Sequence, residues 1–379
     1  MSDLRAKSLL LIATLLFVSP VFARDVEVLV ESRKGIGLIP SFWNGAVYAG
    51  GEFPVEGLNW VHIDPTLVAT AWREKIGGGG PGWVALDGAI DAARLAGARV
   101  LLPLPTSAAP KNEATWSARV EDTVRRTHDR VDRYDIQGDV TVSSGRYLDR
   151  YEAGVWAAYQ GYHKAVVGGP GVGLESGLPQ ALMQLCSDRD LPIAFVSWAV
   201  KAQTGEEAEA SFSRVEGTLD RVGFKDRPAA IVSKWMMDDL PNASGVTLSF
   251  LHSLTQVNLD AAFAELRSLR WGMPALRIYH RLGQVEIPML FEPEDELHGV
   301  ATLDGDDVRM LLWSDRTSQA NLSISGMRWG RTYAYERSVV GLRRTQVVET
   351  SELRAEDPVK ISVTVSRGSP MFLTLTPRN

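Results

Sequence analysis

Trp83-Val-Ala-Leu-Asp-Gly-Ala-Ile-Asp-Ala-Ala-Arg-Leu-Ala-Gly-Ala-Arg-Val-Leu-Leu-Pro-Leu-Pro105 is the stretch whose reading decides the fold. Leu86, Ile90, Ala93 and Leu95 recur at helical spacing, while Asp87, Asp91 and Arg94 occupy the other face. Gly97 closes the helix, and Arg99–Leu104 follows as a continuous apolar run. A strand apolar on both sides is one covered on both faces, as in a parallel sheet flanked by helices. The unit is therefore a helix feeding a buried parallel strand.

The same rhythm recurs outward from it. Tyr134-Asp-Ile-Gln137 ends one strand, and Tyr147 to Val166 is a helix with Trp156, Tyr159 and Tyr162. Ala165-Val-Val-Gly168 leads into a further strand. Ile193–Trp198 and Ala229–Trp235 are two more, separated by the helical stretch Glu206–Arg221. Alternating strands and helices argue for βα units. From about residue 285 the helices stop, and short strands such as Val308–Trp313, Ala320–Ile324, Thr332–Tyr335, Val359–Val365 and Met371–Leu375 follow one another. That is the pattern of a β-sandwich. The alternating Asp25–Val30 lies before the βα units and can join it. With 379 residues, the chain has room for a barrel of roughly 250 residues and a smaller partner. The expected fold is α/β: a (β/α)₈ TIM barrel with a C-terminal β-sandwich domain that also takes an N-terminal strand. The boundaries expected are 1–23 for a signal peptide, 24–40 for the N-terminal strand, 41–284 for the barrel and 285–379 for the sandwich.

The amino terminus sets the expected compartment. Arg5 and Lys7 precede the apolar Leu9–Val18, and Val21 and Ala23 supply small residues for cleavage. This reads as a secretory signal, too short to span a bilayer comfortably. Cleavage before Arg24 would remove Asp3, Arg5 and Lys7, taking the net charge from −6 to −7. The expectation is a secreted or periplasmic protein with no membrane span after cleavage. A net negative charge without basic runs argues against nucleic acid. Cys186, the only cysteine, precludes an intramolecular disulfide and sits on an apolar helix face, which suits a buried thiol better than a nucleophile. Ile76–Gly82 and Gly168–Gly173 are glycine-rich but lack the lysine or acidic partners of phosphate and dinucleotide loops. The six histidines show no ligand spacing, so no metal and no cofactor are expected.

In a (β/α)₈ barrel, working side chains gather at the carboxyl ends of the strands. Those ends carry His62 and Asp64, then Gln137, Gly138 and Asp139, then Trp198, then Lys234 and Trp235. Tryptophans at three such positions, Trp60 just before His62, Trp198 and Trp235, among polar groups, suit the C–H faces and hydroxyls of a sugar.

Several of these segments, in order, resemble glycoside hydrolase family 39, which contains β-xylosidases and α-iduronidases. Arg133-Tyr-Asp-Ile-Gln-Gly-Asp-Val140 stands where that family has a Trp-Asn-Glu-Pro strand end. Tyr151–Val167 followed by Gly168-Gly-Pro170 is similar to its next helix and Val-Gly-Gly-Pro segment. Asp190–Trp198 resembles its Phe-x-Ser-Trp-His strand, Ile231-Val-Ser-Lys-Trp235 its Thr-Glu-Trp strand, and Pro274–Gly283 the helix closing the barrel. Residues 297–379 resemble its sandwich.

The resemblance implies a retaining glycosidase using two glutamates, and this sequence departs at both. Asp139 falls at the acid/base position, with Gly138 and Val140 for Asn and Pro. Lys234 falls at the nucleophile position, and Ala199 replaces the family's His. A lysine cannot form the ester-linked glycosyl intermediate, and its charge opposes an oxocarbenium-like transition state. It would also favour an ionised Asp139, so an Asp139–Lys234 ion pair is expected in place of the dyad. His62, Asp64, Gln137, Trp198 and Trp235 are the expected substrate-binding residues. Two readings follow: a carbohydrate-active protein with retaining hydrolysis lost or weak, or a non-catalytic binding or scaffolding protein for exopolysaccharide assembly or export. A hydrolase with recruited carboxylates would draw on Asp64, Glu175, Asp238 or Asp239.

Overall fold

The computed structural model describes residues 24–38, 45–51, 58–74, 79–106, 112–138, 143–201, 205–236, 243–255, 259–265, 273–293, 297–341 and 343–378. The proposed signal peptide, Asp139, Asp238 and Asp239 lie outside the described residues. The chain divides into two compact units, one of residues 24–37 and 285–378 and one of residues 38–284.

The larger unit is a closed parallel barrel. Its strands, in order around the barrel, are β3 (Gly45–Tyr48), β4 (Trp60–Ile63), β5 (Arg99–Pro105), β6 (Arg133–Gln137), β7 (Val167–Gly173), β8 (Phe195–Lys201), β9 (Ala229–Met236) and β10 (Ala261–Ala264), with β10 pairing back onto β3. Around it run α1 (Pro65–Trp72), α2 (Pro81–Leu95), α3 (Glu113–Thr127), α4 (Ser144–Gly161), α5 (Leu178–Arg189), α6 (Gly205–Val222), α7 (Ala243–Thr255) and α8 (Met273–Tyr279). The continuous apolar strands are explained by two separate cores. Inward side chains Trp60, Leu101, Phe195, Ile231, Ala261 and Phe263 plug the barrel. Outward ones such as Val61, Val100, Leu102 and Tyr134 pack under the helices. Arg133 closes the amino end of the plug, its guanidinium 4.9 Å from the Trp60 ring centre and 5.7 Å from that of Phe195, and ion-paired to Asp260.

Within α2 the expected stripe holds for Leu86, Ile90 and Ala93, which are buried, but Leu95, the helix's last residue, is 90% exposed because two positions after Ala93 it falls on the opposite side of the helix. Gly97 adopts φ +79°, a left-handed value that suits a residue without Cβ. Cys186 is buried on α5, and burial pushes its thiol up to about 12, which leaves it an inert core group.

The smaller unit is a two-sheet sandwich. One sheet has the order β12 (Met289–Glu292), β1 (Arg24–Glu31), β15 (Ser318–Ser325), β18 (Val359–Val365). The other runs β17 (Thr345–Arg354), β16 (Thr332–Val340), β19 (Met371–Pro377), β14 (Asp307–Trp313), β13 (His298–Asp304), β11 (Val285–Ile287), β2 (Gly37–Leu38). The amino-terminal β1 is an interior strand, antiparallel to β12 and parallel to β15. Val26, Val28 and Val30 enter the core while Glu27, Leu29 and Glu31 face out, the period-two pattern of a half-buried strand.

Candidate active site at the barrel mouth

The carboxyl ends of the strands bring His62, Gln137, Lys234 and two further polar groups, Asp135 and Glu265, to one end of the barrel. Their directions follow from strand parity and from one irregularity in β9. Ile231 points into the plug, so strict alternation would send Ser233 and Trp235 inward and Lys234 outward. Instead β9 carries one extra residue relative to both neighbours. Trp198 pairs with Val232 but Ala199 with Lys234, and Ala262 pairs with Val232 but Ala264 with Trp235. A bulge of this kind re-aims everything beyond it. Lys234 therefore turns into the mouth and Trp235 turns out.

Lys234 meets Glu265, which directly follows β10, with Nζ 2.8 Å from Oε2. The pair is half sheltered, the lysine side chain 37% and the glutamate 16% exposed. His62 lies beneath it. Its Nδ1 is 2.7 Å from the carbonyl oxygen of Ser233, a bond that crosses the barrel interior, since β4 and β9 are separated by β3 and β10. A carbonyl only accepts, so Nδ1 carries the proton and Nε2 is a bare acceptor. Burial pushes His62 down to about 4, with the Ser233 carbonyl and the nearby Asp64 and Glu265 acting against that and Lys234 reinforcing it. His62 is thus neutral at ordinary pH.

Asp135 lies inside the barrel between its plug and its mouth. Ser197 Oγ donates to Oδ1 at 2.9 Å. Oδ2 lies against Gly171, where a Cβ would approach it to 2.8 Å and Gln137 Cγ to 3.3 Å. Gly171 also has φ +66°, so both its backbone and its neighbours exclude a side chain. Burial pushes the Asp135 carboxyl up to about 7, and the Ser197 hydrogen bond only partly offsets this. Three fully buried polar atoms here, His62 Nε2, Asp135 Oδ2 and Ser233 Oγ, have no hydrogen-bond partner among the described residues.

Not every expected site residue faces the mouth. Trp198 and Trp235, read from the sequence as sugar platforms, are corrected to core residues. Trp235 is fully buried and stacks on Phe250 of α7 with ring centres 4.6 Å apart, and Trp198 meets Phe212 of α6 at 6.0 Å. Both point outward into the helix layer, for the parity reasons above. Asp64 caps α1: its Oδ1 accepts from Thr66 N–H at 2.8 Å and from Thr66 Oγ1 at 2.6 Å. Glu175 is exposed in a turn after β7. Lys234 pairs with Glu265, while the expected Asp139–Lys234 pair falls on Asp139, which lies outside the described residues. Sequence reading missed Glu265 because the short run Ala261-Ala-Phe-Ala264 was not taken as a strand; an acid directly after such a run was the available signal. Asp135 was also missed, although a carboxylate inside a strand buried on both faces is itself a signal. No cluster of three or more His, Cys, Asp or Glu side chains that could hold a metal ion is found among the described residues.

Comparison with solved structures shows what this architecture is similar to. A glycoside hydrolase family 39 (GH39) enzyme from Xanthomonas axonopodis pv. citri superimposes with a TM-score of 0.77 at 14% identity, covering 96% of this chain and 99% of that one. The fold is GH39-like. A monomeric β-xylosidase from Caulobacter crescentus CB15 (TM-score 0.74, 11% identity, 94% and 100% coverage) and a glucosidase from Croceicoccus marinus (0.73, 13%, 94% and 100%) share it. No protein-family model matches the sequence, and no curated protein matches it significantly. The GH39-like barrel carries its Lys234–Glu265 pair on the seventh and eighth strands of the order given above, and Gln137 at the end of the fourth.

Proposed function

We propose that the protein is carbohydrate-active, that the barrel mouth binds a bacterial oligo- or polysaccharide, and that family-type retaining hydrolysis is lost or weak. The single observation that carries this reading is the Lys234–Glu265 ion pair, 2.8 Å across the ends of β9 and β10. Retention needs two carboxyl groups roughly 5–5.5 Å apart, one of them a nucleophile. At the position where the resemblance calls for that nucleophile, an ammonium stands bonded to a carboxylate. Such a pair offers donors and an acceptor to sugar hydroxyls. It places positive charge where an oxocarbenium-like centre would develop, which opposes the reaction. A non-catalytic role in exopolysaccharide assembly or export is compatible with the same pair.

The test is turnover of a panel of aryl β-glycosides alongside calorimetric binding of xylo-, gluco- and uronate oligosaccharides. Wild-type protein is expected to show no turnover above background while binding at least one oligosaccharide, with affinity falling roughly tenfold in Glu265→Gln, the scale of a charge-assisted hydrogen bond. Turnover that vanishes in Lys234→Ala would overturn the reading.

Export is the second part of the proposal, supported by Arg5, Lys7 and the apolar Leu9–Val18 ahead of Ala23. Amino-terminal sequencing of the exported protein is expected to start at Arg24; an intact Met1 terminus on protein confined to the cytoplasm would contradict it.

A further inference from the structure

A second candidate binding feature lies on the sandwich, far in sequence from the barrel residues. Trp329 sits between β15 and β16 and is 81% exposed. A lone exposed apolar side chain is ordinary, but this indole stands on an unusually well-fixed turn. Met327, two residues earlier, is anchored in the sandwich core. Arg331 N–H donates to Arg328 O at 3.1 Å, Gly330 N–H to Ala355 O at 2.9 Å, and Ala355 N–H to Arg331 O at 2.8 Å. Arg328 N–H reaches Tyr333 Oη at 3.3 Å, and Gly326 N–H reaches Asp357 Oδ1 at 3.1 Å. Gly330 has φ +75°, which lets the chain reverse directly after the tryptophan. The backbone is thus set before any ligand arrives, which lowers the entropic penalty of binding.

The surroundings are polar and charged. Asp306 bridges Arg328 at 3.2 Å and Arg331 at 3.3 Å. Next to the turn lies a cavity of about 340 Å³, lined by Ser32, Arg33, Asp306, Arg328 and Tyr333 with some backbone and apolar groups. Three arginines, 33, 328 and 331, stand near the turn, two of them sharing the single carboxylate of Asp306. A protein-docking surface would show apolar side chains clustered at its centre. Among the described residues, the other exposed large hydrophobics of this unit lie elsewhere, on β1, β12 and β17 and at Ile36. A flat indole packs well on the C–H face of a pyranose, and guanidinium groups bind carboxylates bidentately.

We propose that Trp329, with Arg33, Arg328 and Arg331, forms a surface site for a uronate-containing polysaccharide chain, separate from the barrel mouth. The proposal rests on the reading of the protein as carbohydrate-active but not on any side chain of the barrel. It is tested by native gel electrophoresis of the full chain in gels containing alginate, a polyuronate, or hydroxyethyl cellulose, a neutral polymer. Wild-type protein should be retarded by alginate and not by hydroxyethyl cellulose. Trp329→Ala should raise the alginate dissociation constant roughly five- to tenfold, the scale of one aromatic contact, and Arg328→Gln should lower retardation further at low salt. Both variants should keep the wild-type thermal midpoint. Lys234→Met should leave alginate retardation unchanged while weakening oligosaccharide binding at the mouth. Retardation equal in wild type and Trp329→Ala, equal retardation by the neutral polymer, or none by alginate would each overturn the site. Failure of the barrel reading would instead appear as wild-type protein that binds none of the oligosaccharides while its alginate retardation stays intact.

Discussion

Replacing Trp235 by alanine is expected to destabilise the barrel by roughly 3–5 kcal/mol, the range for deleting a large buried aromatic and leaving a cavity. The side chain is fully buried, and its stacking on Phe250 ties β9 to α7. The effect should appear as a lower denaturant midpoint of the barrel transition in urea, with Trp235→Phe recovering most of the loss because a ring remains to face Phe250. The outcome decides between packing and ligand contact. A residue lining a sugar cleft would instead lose oligosaccharide affinity with little change in midpoint. That second pattern would restore the cleft role inferred from the sequence and would contradict the outward orientation produced by the bulge at Ser233 and Lys234.

Asp135→Asn should change the pH dependence of stability by a comparable amount. Burial raises the folded-state carboxyl from an ordinary 3.8 to about 7. Between those values the native protein holds a proton that the unfolded chain has released, so stability falls as pH rises. The contribution is fully present below about 4 and is lost once the pH passes about 7. The interval corresponds to roughly 4 kcal/mol as an upper figure. Asparagine is neutral throughout and can still accept from Ser197 through its amide oxygen. The variant should match wild type within about 1 kcal/mol near pH 4 and exceed it by a few kcal/mol near pH 8, measured by urea denaturation at both values. Comparing the two proteins at each pH cancels the other titrating groups. A difference that stays constant from pH 4 to pH 8 would show that Asp135 does not titrate in this interval.

Legibility differed between the fold and the site for a physical reason. Five of the barrel strands, β5 to β9, were readable because a strand covered on both faces needs apolar residues at successive positions, as in Val100–Leu104 or Phe195–Val196, and this composition survives any detail of register; the short β3 fell in a stretch read as a loop between Gly45 and Gly51. β1 was readable because Val26, Val28 and Val30 alternate with polar residues. Gln137 and Lys234 were correctly placed at strand ends, since strand ends follow from where the apolar runs stop. Side-chain direction was less legible. The tryptophans were taken as cleft residues from their position alone, although a strand end has two faces and only one lines the cleft. Glu265 was hidden by the brevity of β10, four residues of small and aromatic character.

The amino-acid sequence by itself determined that helices would enclose a parallel sheet, that an antiparallel sandwich would follow, and that Lys234 would stand near the end of a barrel strand. Only the tertiary structure decided that Lys234 faces inward and meets Glu265. Side chains on a strand alternate with period two, so one extra residue in β9 exchanges the inner and outer faces beyond it. That extra residue is defined only by pairing with β8 and β10, whose partner positions lie more than 25 residues away on either side. The His62 bond to the Ser233 carbonyl likewise joins strands on different sides of the barrel, and such a contact comes into being only when the sheet closes on itself.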